Sequence, residues 1–129
     1  MIKLGQERES LNVIFDQVGT PTYSKDLASA IMTIIQSQEF NRAEFKTNVV
    51  HFSNEGICSW YDFAKTIFEL TGIQCKVSPI ETKEYPTPAR RPHYSVLSKA
   101  KIKKTYHLAV PYWKDSIKHC LMALQNKAL

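Results

Sequence analysis

At 129 residues, 43% of them hydrophobic and 22% charged, the chain has the size and composition of one globular domain with a buried core, not of a disordered tail. No apolar run approaches the ~18 residues that a membrane-spanning helix needs. The net charge of +5 suits an anionic partner, either a nucleic acid or a small molecule such as a nucleotide or sugar phosphate.

The opening, Met1 to Arg8, is too charged for a signal peptide to be expected in it. It reads as the tail of a helix with no N-cap before it, which is the pattern of a chain cut from something longer. A short apolar run, Val13-Ile14-Phe15, leads into the turn Asp16-Gln17-Val18-Gly19-Thr20-Pro21-Thr22-Tyr23. Gly19 is free to take a positive φ, and Pro21 fixes its own φ while pushing Thr20 toward extended backbone. A loop this restricted is rigid, and it serves either as a connection between strands or as a ligand-facing edge.

Leu27, Ala28, Ile31, Ile34 and Ile35 recur at helical spacing and predict a helix over 24–36 with one face buried. Ser24 is its expected N-cap, with Asp26 in the first turn. After a polar, irregular stretch over 38–47, the branched and aromatic segment Asn48 to Ser53 predicts a β-strand, and Asn54-Glu55-Gly56 a turn. Ser59 then caps a helix, with Asp62 placed for a capping box. Phe63, Ala64, Ile67, Phe68 and Leu70 give that helix its buried stripe before the stop at Gly72. Trp60, at the capped start, is assigned to the core in preference to stacking on a substrate. Cys75 to Ile80 alternates as a short strand, which Pro79 marks as an edge.

The segment 84–95 holds Pro86, Pro88 and Pro92 together with Arg90 and Arg91. A guanidinium fork there either pairs with an acidic side chain or meets a phosphate. Helices follow over 98–105 and from Pro111 or Tyr112 to Gln125, the last with an apolar face of Trp113, Ile117, Cys120, Leu121 and Leu124. Lys99, Lys101, Lys103 and Lys104 read as a solvated helix face. The aromatics around them lack the spacing of a base-stacking platform, so a nucleic acid is not the expected partner.

Tyr61 and Lys65 match Y-x-x-x-K, in which the ammonium lowers the phenol's pKa and the tyrosine passes a proton. Tyr61 directly follows the helix cap, however, and the pair reads as part of an ordinary amphipathic helix. Gly5, Gly19, Gly56 and Gly72 lie too far apart to form a phosphate-cradling turn. His51, His93, His107 and His119 lack metal-ligand spacing. Cys58, Cys75 and Cys120 form no C-x-x-C pair and are odd in number, which favours reduced thiols and a cytoplasmic setting. No complete catalytic set is present.

Three stretches in order change this picture: Asp16 to Tyr23 with Asp26-Leu27-Ala28, then Ser59-Trp60-Tyr61-Asp62-Phe63-Ala64, then Tyr85-Pro86-Thr87-Pro88-Ala89-Arg90-Arg91-Pro92 with Ser95 and Leu97. Together, over about Leu11 to Leu121, they resemble the carboxy-terminal part of dTDP-4-dehydrorhamnose reductases, which are extended short-chain dehydrogenase/reductases. The resemblance implies an α/β substrate-binding lobe, one domain over 1–129, in which short strands pack with three to four helices. It implies an enzyme that reduces dTDP-4-dehydro-L-rhamnose at C4 to dTDP-L-rhamnose with NADPH or NADH, for cell-surface polysaccharide. The Rossmann domain, with the glycine-rich turn and the catalytic Tyr and Lys, belongs to the amino-terminal half and is not in this chain. The chain alone is therefore expected to be inactive, with no catalytic, cofactor-binding or metal residue. Tyr61 and Lys65 fall downstream of the family's catalytic pair and read as packing.

The resemblance further implies that Asp16, Gln17 and Thr20 line or support the edge of a dTDP-sugar cleft, and that Arg90 or Arg91 supplies diphosphate or interface charge. The expected partners are the dTDP-sugar, the Rossmann domain of the same protein and, as an option, a second copy in a homodimer. The alternative is a non-catalytic nucleotide-sugar-binding or regulatory subunit with a reductase-like lobe.

Overall fold

The computed structural model describes residues 1–41 and 47–126. Its base is a pair of parallel strands, β1 (Ser10–Ile14) and β4 (Lys76–Ile80), with Leu11 opposite Val77 and Val13 opposite Pro79. Pro79 has no N–H to give a second neighbour, and β4 is an edge, as its sequence predicts.

Across this pair lies α4 (Trp60–Thr71). Its start is fixed by a reciprocal capping box: the Asp62 N–H donates to the Ser59 hydroxyl and the Ser59 N–H to the Asp62 carboxylate, both at 3.0 Å. It ends at Gly72, whose φ of 70° closes the left-handed cap. Ile67 and Phe68 of α4 meet Leu11, Cys75, and the Trp113, Ile117 and Leu121 face of α6 (Trp113–Gln125), which together form the core. Each of the larger side chains contributes on the order of 1.5–3 kcal/mol through burial. The short α1 (Ile2–Glu7) reaches α4 because Gly5 has no side chain; a Cβ there would stand 2.6 Å from the Phe68 ring.

A second, smaller pairing joins β2 (Val18–Gly19) antiparallel to β3 (Cys58–Ser59). Gly19 does not use a positive φ, contrary to expectation. It is required by close approach instead, since a Cβ would meet the Ser95 hydroxyl at 2.8 Å.

Several expectations are corrected. α2 (Ser24–Gln36) has Ser24 as its first residue, with no side-chain cap; the Tyr23 N–H before it donates to the Asn54 amide oxygen at 2.7 Å. The helix also does not bury its stripe: Ala30 is buried, whereas Ile31 and Ile35 remain 46% and 45% exposed, with no cover from the other described residues. The irregular stretch expected over 38–47 begins with a turn of helix, α3 (Gln38–Asn41), and residues 42–46 lie outside the described residues.

Asn48 to Ser53 form no strand. β-propensity is realised only against a neighbouring strand, and this segment's ties are of other kinds. Lys101 donates to the Val49 carbonyl at 2.7 Å, and the adjoining Glu55 makes an isolated bridge to Tyr112. Lys99, expected in solvent, is buried just before α5 (Ala100–Tyr106), where its ammonium donates to the Asn54 carbonyl at 3.1 Å and pairs with Glu55 at 3.6 Å. Lys101, Lys103 and Lys104 are exposed as expected. Among the described residues, no helix is long and apolar enough to cross a membrane.

Candidate functional site

The turn after β1, the start of α4 and the proline-rich segment after β4 enclose two adjoining hollows. The larger, of about 790 Å³, is bordered by Leu4, Val13, Trp60, Tyr85, Thr87 and Arg91 among others. The smaller, of about 520 Å³, runs along β2 and is bordered by Gly19, Thr20, Pro21, Cys58, Trp60 and Arg91 among others. Gln17, Trp60, Phe63 and Arg91 belong to both and form their shared wall.

Trp60 is 55% exposed, which overturns its assignment to the core. It lies on the outer side of the first turn of α4, and the core indole is Trp113, 3% exposed. Phe63 connects the two regions, with its ring centroid 6.0 Å from that of Trp113. The wall thus presents one large aromatic face, backed by packed side chains. A flat ring or the apolar face of a sugar stacks on such a surface.

Arg90 and Arg91 are both exposed, and among the described residues neither has an ion pair or hydrogen bond. They differ in position, because Arg91 borders both hollows and Arg90 neither. An unpaired guanidinium on a cleft wall is available for a bidentate bond to an oxyanion.

The polar residues of the turn are engaged with the protein itself. The Asp16 carboxylate accepts from the Thr82 N–H at 2.9 Å and from its hydroxyl at 2.7 Å. The bond from the Thr82 hydroxyl is the main cause that holds the Asp16 carboxyl below its ordinary value. Gln17 is buried and donates to the same hydroxyl at 3.1 Å, while Thr20 donates to the Gly56 carbonyl at 2.8 Å. Of the expected cleft-edge residues, Gln17 and Thr20 border the hollows and Asp16 does not. Thr82 and His93 were not expected. Their bonds to Asp16 cross 66 and 77 residues of sequence, a separation at which no local pattern could have shown them.

Tyr61 and Lys65 lie one turn apart on α4, and neither borders a hollow. Cys58, on the smaller hollow, has its thiol pushed up to about 11, chiefly by burial and secondarily by the Asp62 carboxylate, so it is a poor nucleophile. Among the described residues, no three of His, Cys, Asp and Glu come together as metal ligands. The four glycines sit in α1, in β2, at the bend at Gly56 and at the end of α4. None opens a helix behind a glycine-rich turn, so these residues do not fit the pyrophosphate of a dinucleotide.

The fold and this cleft define a small α/β ligand-binding lobe. Residues 1–126 match the family model described as RmlD substrate binding domain, and the chain belongs to that family. It is 38% identical over 128 residues to a dTDP-4-dehydrorhamnose reductase of Sinorhizobium fredii, covering 96% of this chain and 43% of the relative. It is 36% identical over 121 residues to the spore coat polysaccharide biosynthesis protein SpsK of Bacillus subtilis, covering 94% and 40%.

Two solved reductase structures share the fold. That of Clostridium acetobutylicum superposes with a TM-score of 0.86 at 44% identity, covering 96% of this chain and 42% of that one. That of Bacillus anthracis, solved in complex with NADP, gives 0.83 at 34% identity, covering 95% and 40%. The chain therefore spans about two-fifths of the length of these relatives.

Proposed function

We propose that this chain is the substrate-binding lobe of a dTDP-4-dehydrorhamnose reductase and that its cleft takes the dTDP-sugar. The observation that carries this reading is Arg91, which has no partner among the described residues and stands with Trp60 on the wall common to both hollows. Arg91 meets the diphosphate, where a charged fork matches paired oxyanions. Trp60 supplies the stacking face for the thymine or the sugar ring. Gln17 and Thr20 border the cleft, Asp16 supports it from behind, and Arg90 contributes charge toward an interface.

The intact protein, on this reading, reduces dTDP-4-dehydro-L-rhamnose at C4 to dTDP-L-rhamnose with NADPH or NADH. The name of the Bacillus subtilis relative supports a place in polysaccharide biosynthesis. The nicotinamide chemistry and its tyrosine and lysine belong to a Rossmann domain of the same protein, and the lobe alone reduces nothing. The free state of Cys58, Cys75 and Cys120 supports a cytoplasmic setting. A homodimer fits the same reading.

Titration of the chain with dTDP-rhamnose, followed by tryptophan fluorescence, tests the assignment. Arg91→Ala is expected to weaken binding by roughly 10- to 100-fold, the value of a hydrogen bond to a charged group, and Arg90→Ala to leave it nearly unchanged. Equal affinities for the wild type and Arg91→Ala would remove the basis of the proposal.

A further inference from the structure

Residues 85–92 form an exposed strap that carries Arg91 to the cleft, and both ends of the strap are fastened to the same short turn. At the leading end, Thr82 gives its N–H and hydroxyl to the Asp16 carboxylate and accepts from the Gln17 amide. At the trailing end, the His93 Nδ1 lies 2.9 Å from the Asp16 carbonyl and 3.6 Å from its carboxylate. There the Val18 N–H also donates to the His93 carbonyl at 2.8 Å, and the Ser95 N–H to the Val18 carbonyl at 3.0 Å. Between these anchors the strap has few hydrogen bonds of its own: the Tyr85 N–H donates to the Thr82 carbonyl at 3.1 Å, and the Thr87 hydroxyl to the Ala89 carbonyl at 2.9 Å.

Asp16 touches both ends and borders neither hollow. We propose that Asp16 is a positioning residue for Arg91, acting through Thr82 and His93 to hold both ends of the strap on one turn. This rests on the reading of the cleft as a dTDP-sugar site and adds how its cation is delivered.

The physical argument is entropic. An arginine on a loose loop must be ordered when the ligand arrives, and that cost is subtracted from the bond it makes. Closing the loop at both ends, with Pro86, Pro88 and Pro92 stiffening the course between, removes much of the cost beforehand. Asp16 therefore acts on diphosphate affinity without meeting the diphosphate.

The test uses this chain with dTDP and thymidine as probes, which differ by the diphosphate alone. Asp16→Ala removes the clamp's side chain. Thr82→Val is nearly isosteric, removes only the hydroxyl bonds, and serves where the first variant folds poorly. Each is expected to weaken dTDP binding about tenfold, to leave thymidine binding unchanged, and to add nothing in an Arg91→Ala background. Trypsin cleavage after Arg90 is expected to accelerate in both.

A purely structural role would weaken both probes alike. That result overturns the proposal, as do full additivity with Arg91→Ala or an unchanged cleavage rate, with the cleft assignment left standing. A wild-type chain that binds neither probe overturns the cleft assignment and this role together.

Discussion

The side-chain amide of Asn54 donates to the Asp26 carboxylate at 2.6 Å, and this contact joins α2 to the interior of the lobe. Asn54 is fully buried and also donates to the Ser116 hydroxyl at 2.8 Å, while Ser116 itself donates to Asp26. Asn54→Ala leaves Asp26, Ser116 and the Tyr23 N–H short of partners. Its expected cost is about 2–4 kcal/mol in chemical denaturation. Asn54→Asp sets two carboxylates against each other, so it is expected to be the worse of the two at pH 7 and to recover relative to Asn54→Ala near pH 4. A destabilisation by Asn54→Asp that does not change with pH would contradict the geometry.

Gly5 gives a test in which two general tendencies oppose each other. Inside a helix, alanine is ordinarily preferred to glycine by about 1 kcal/mol. Here the added methyl would meet Phe68 at 2.6 Å and Ile73 at 3.0 Å. Overpacking of this kind costs about 1–3 kcal/mol, so Gly5→Ala is expected to lower Tm. A rise in Tm would mean that α1 does not press on α4.

The two tryptophans divide between stability and binding. Trp113→Ala is expected to cost about 3–5 kcal/mol, as for other buried aromatics, whereas Trp60→Ala costs less than ~1 kcal/mol and weakens dTDP-sugar binding. Emission separates them directly: Trp60→Phe leaves only the buried indole and shifts the spectrum to the blue. A red shift would exchange their environments.

Titration predictions follow from two groups. The Cys58 thiol is raised from 9.0 to about 11, so its neutral form is favoured in the folded state. Its contribution to stability is complete below pH 9.0 and is lost as pH rises toward 11. Iodoacetamide at pH 8 is expected to label the half-buried Cys120 before Cys58. Glu55 is lowered below its ordinary 4.5, first by the hydrogen bond from Lys103. Its contribution is complete above pH 4.5 and fades as pH falls through the folded value. Lys103→Met should move the loss to higher pH, and an unchanged acid limb of the stability curve would count against the pair.

Elements written in local code were legible. The Ser59 and Asp62 box, the Gly72 stop and the apolar stripe of α4 all lie within one helix and its caps, so the sequence alone places that helix, although Leu70, expected in the buried stripe, is 38% exposed. The family resemblance was likewise carried by contiguous motifs, and it is the RmlD substrate-binding family to which the chain belongs. The failures are contacts made at long range. Asn48 to Ser53 have strand composition but meet no strand, and Lys99 is buried because Asn54 and Glu55, far away in the chain, satisfy its ammonium. Trp60 was misplaced because a helix cap fixes where a helix starts but not which side of it faces the core. That Asp16 binds Thr82 and His93 is visible only once the fold has brought the three together.

The most direct test of the dTDP-sugar assignment is calorimetric titration of the chain with dTDP-rhamnose, alongside double-stranded DNA of unrelated sequence at two salt concentrations. The account predicts saturable binding of dTDP-rhamnose that depends on Arg91, with no appreciable heat from DNA. Salt-sensitive binding to DNA with none to dTDP-rhamnose would contradict it.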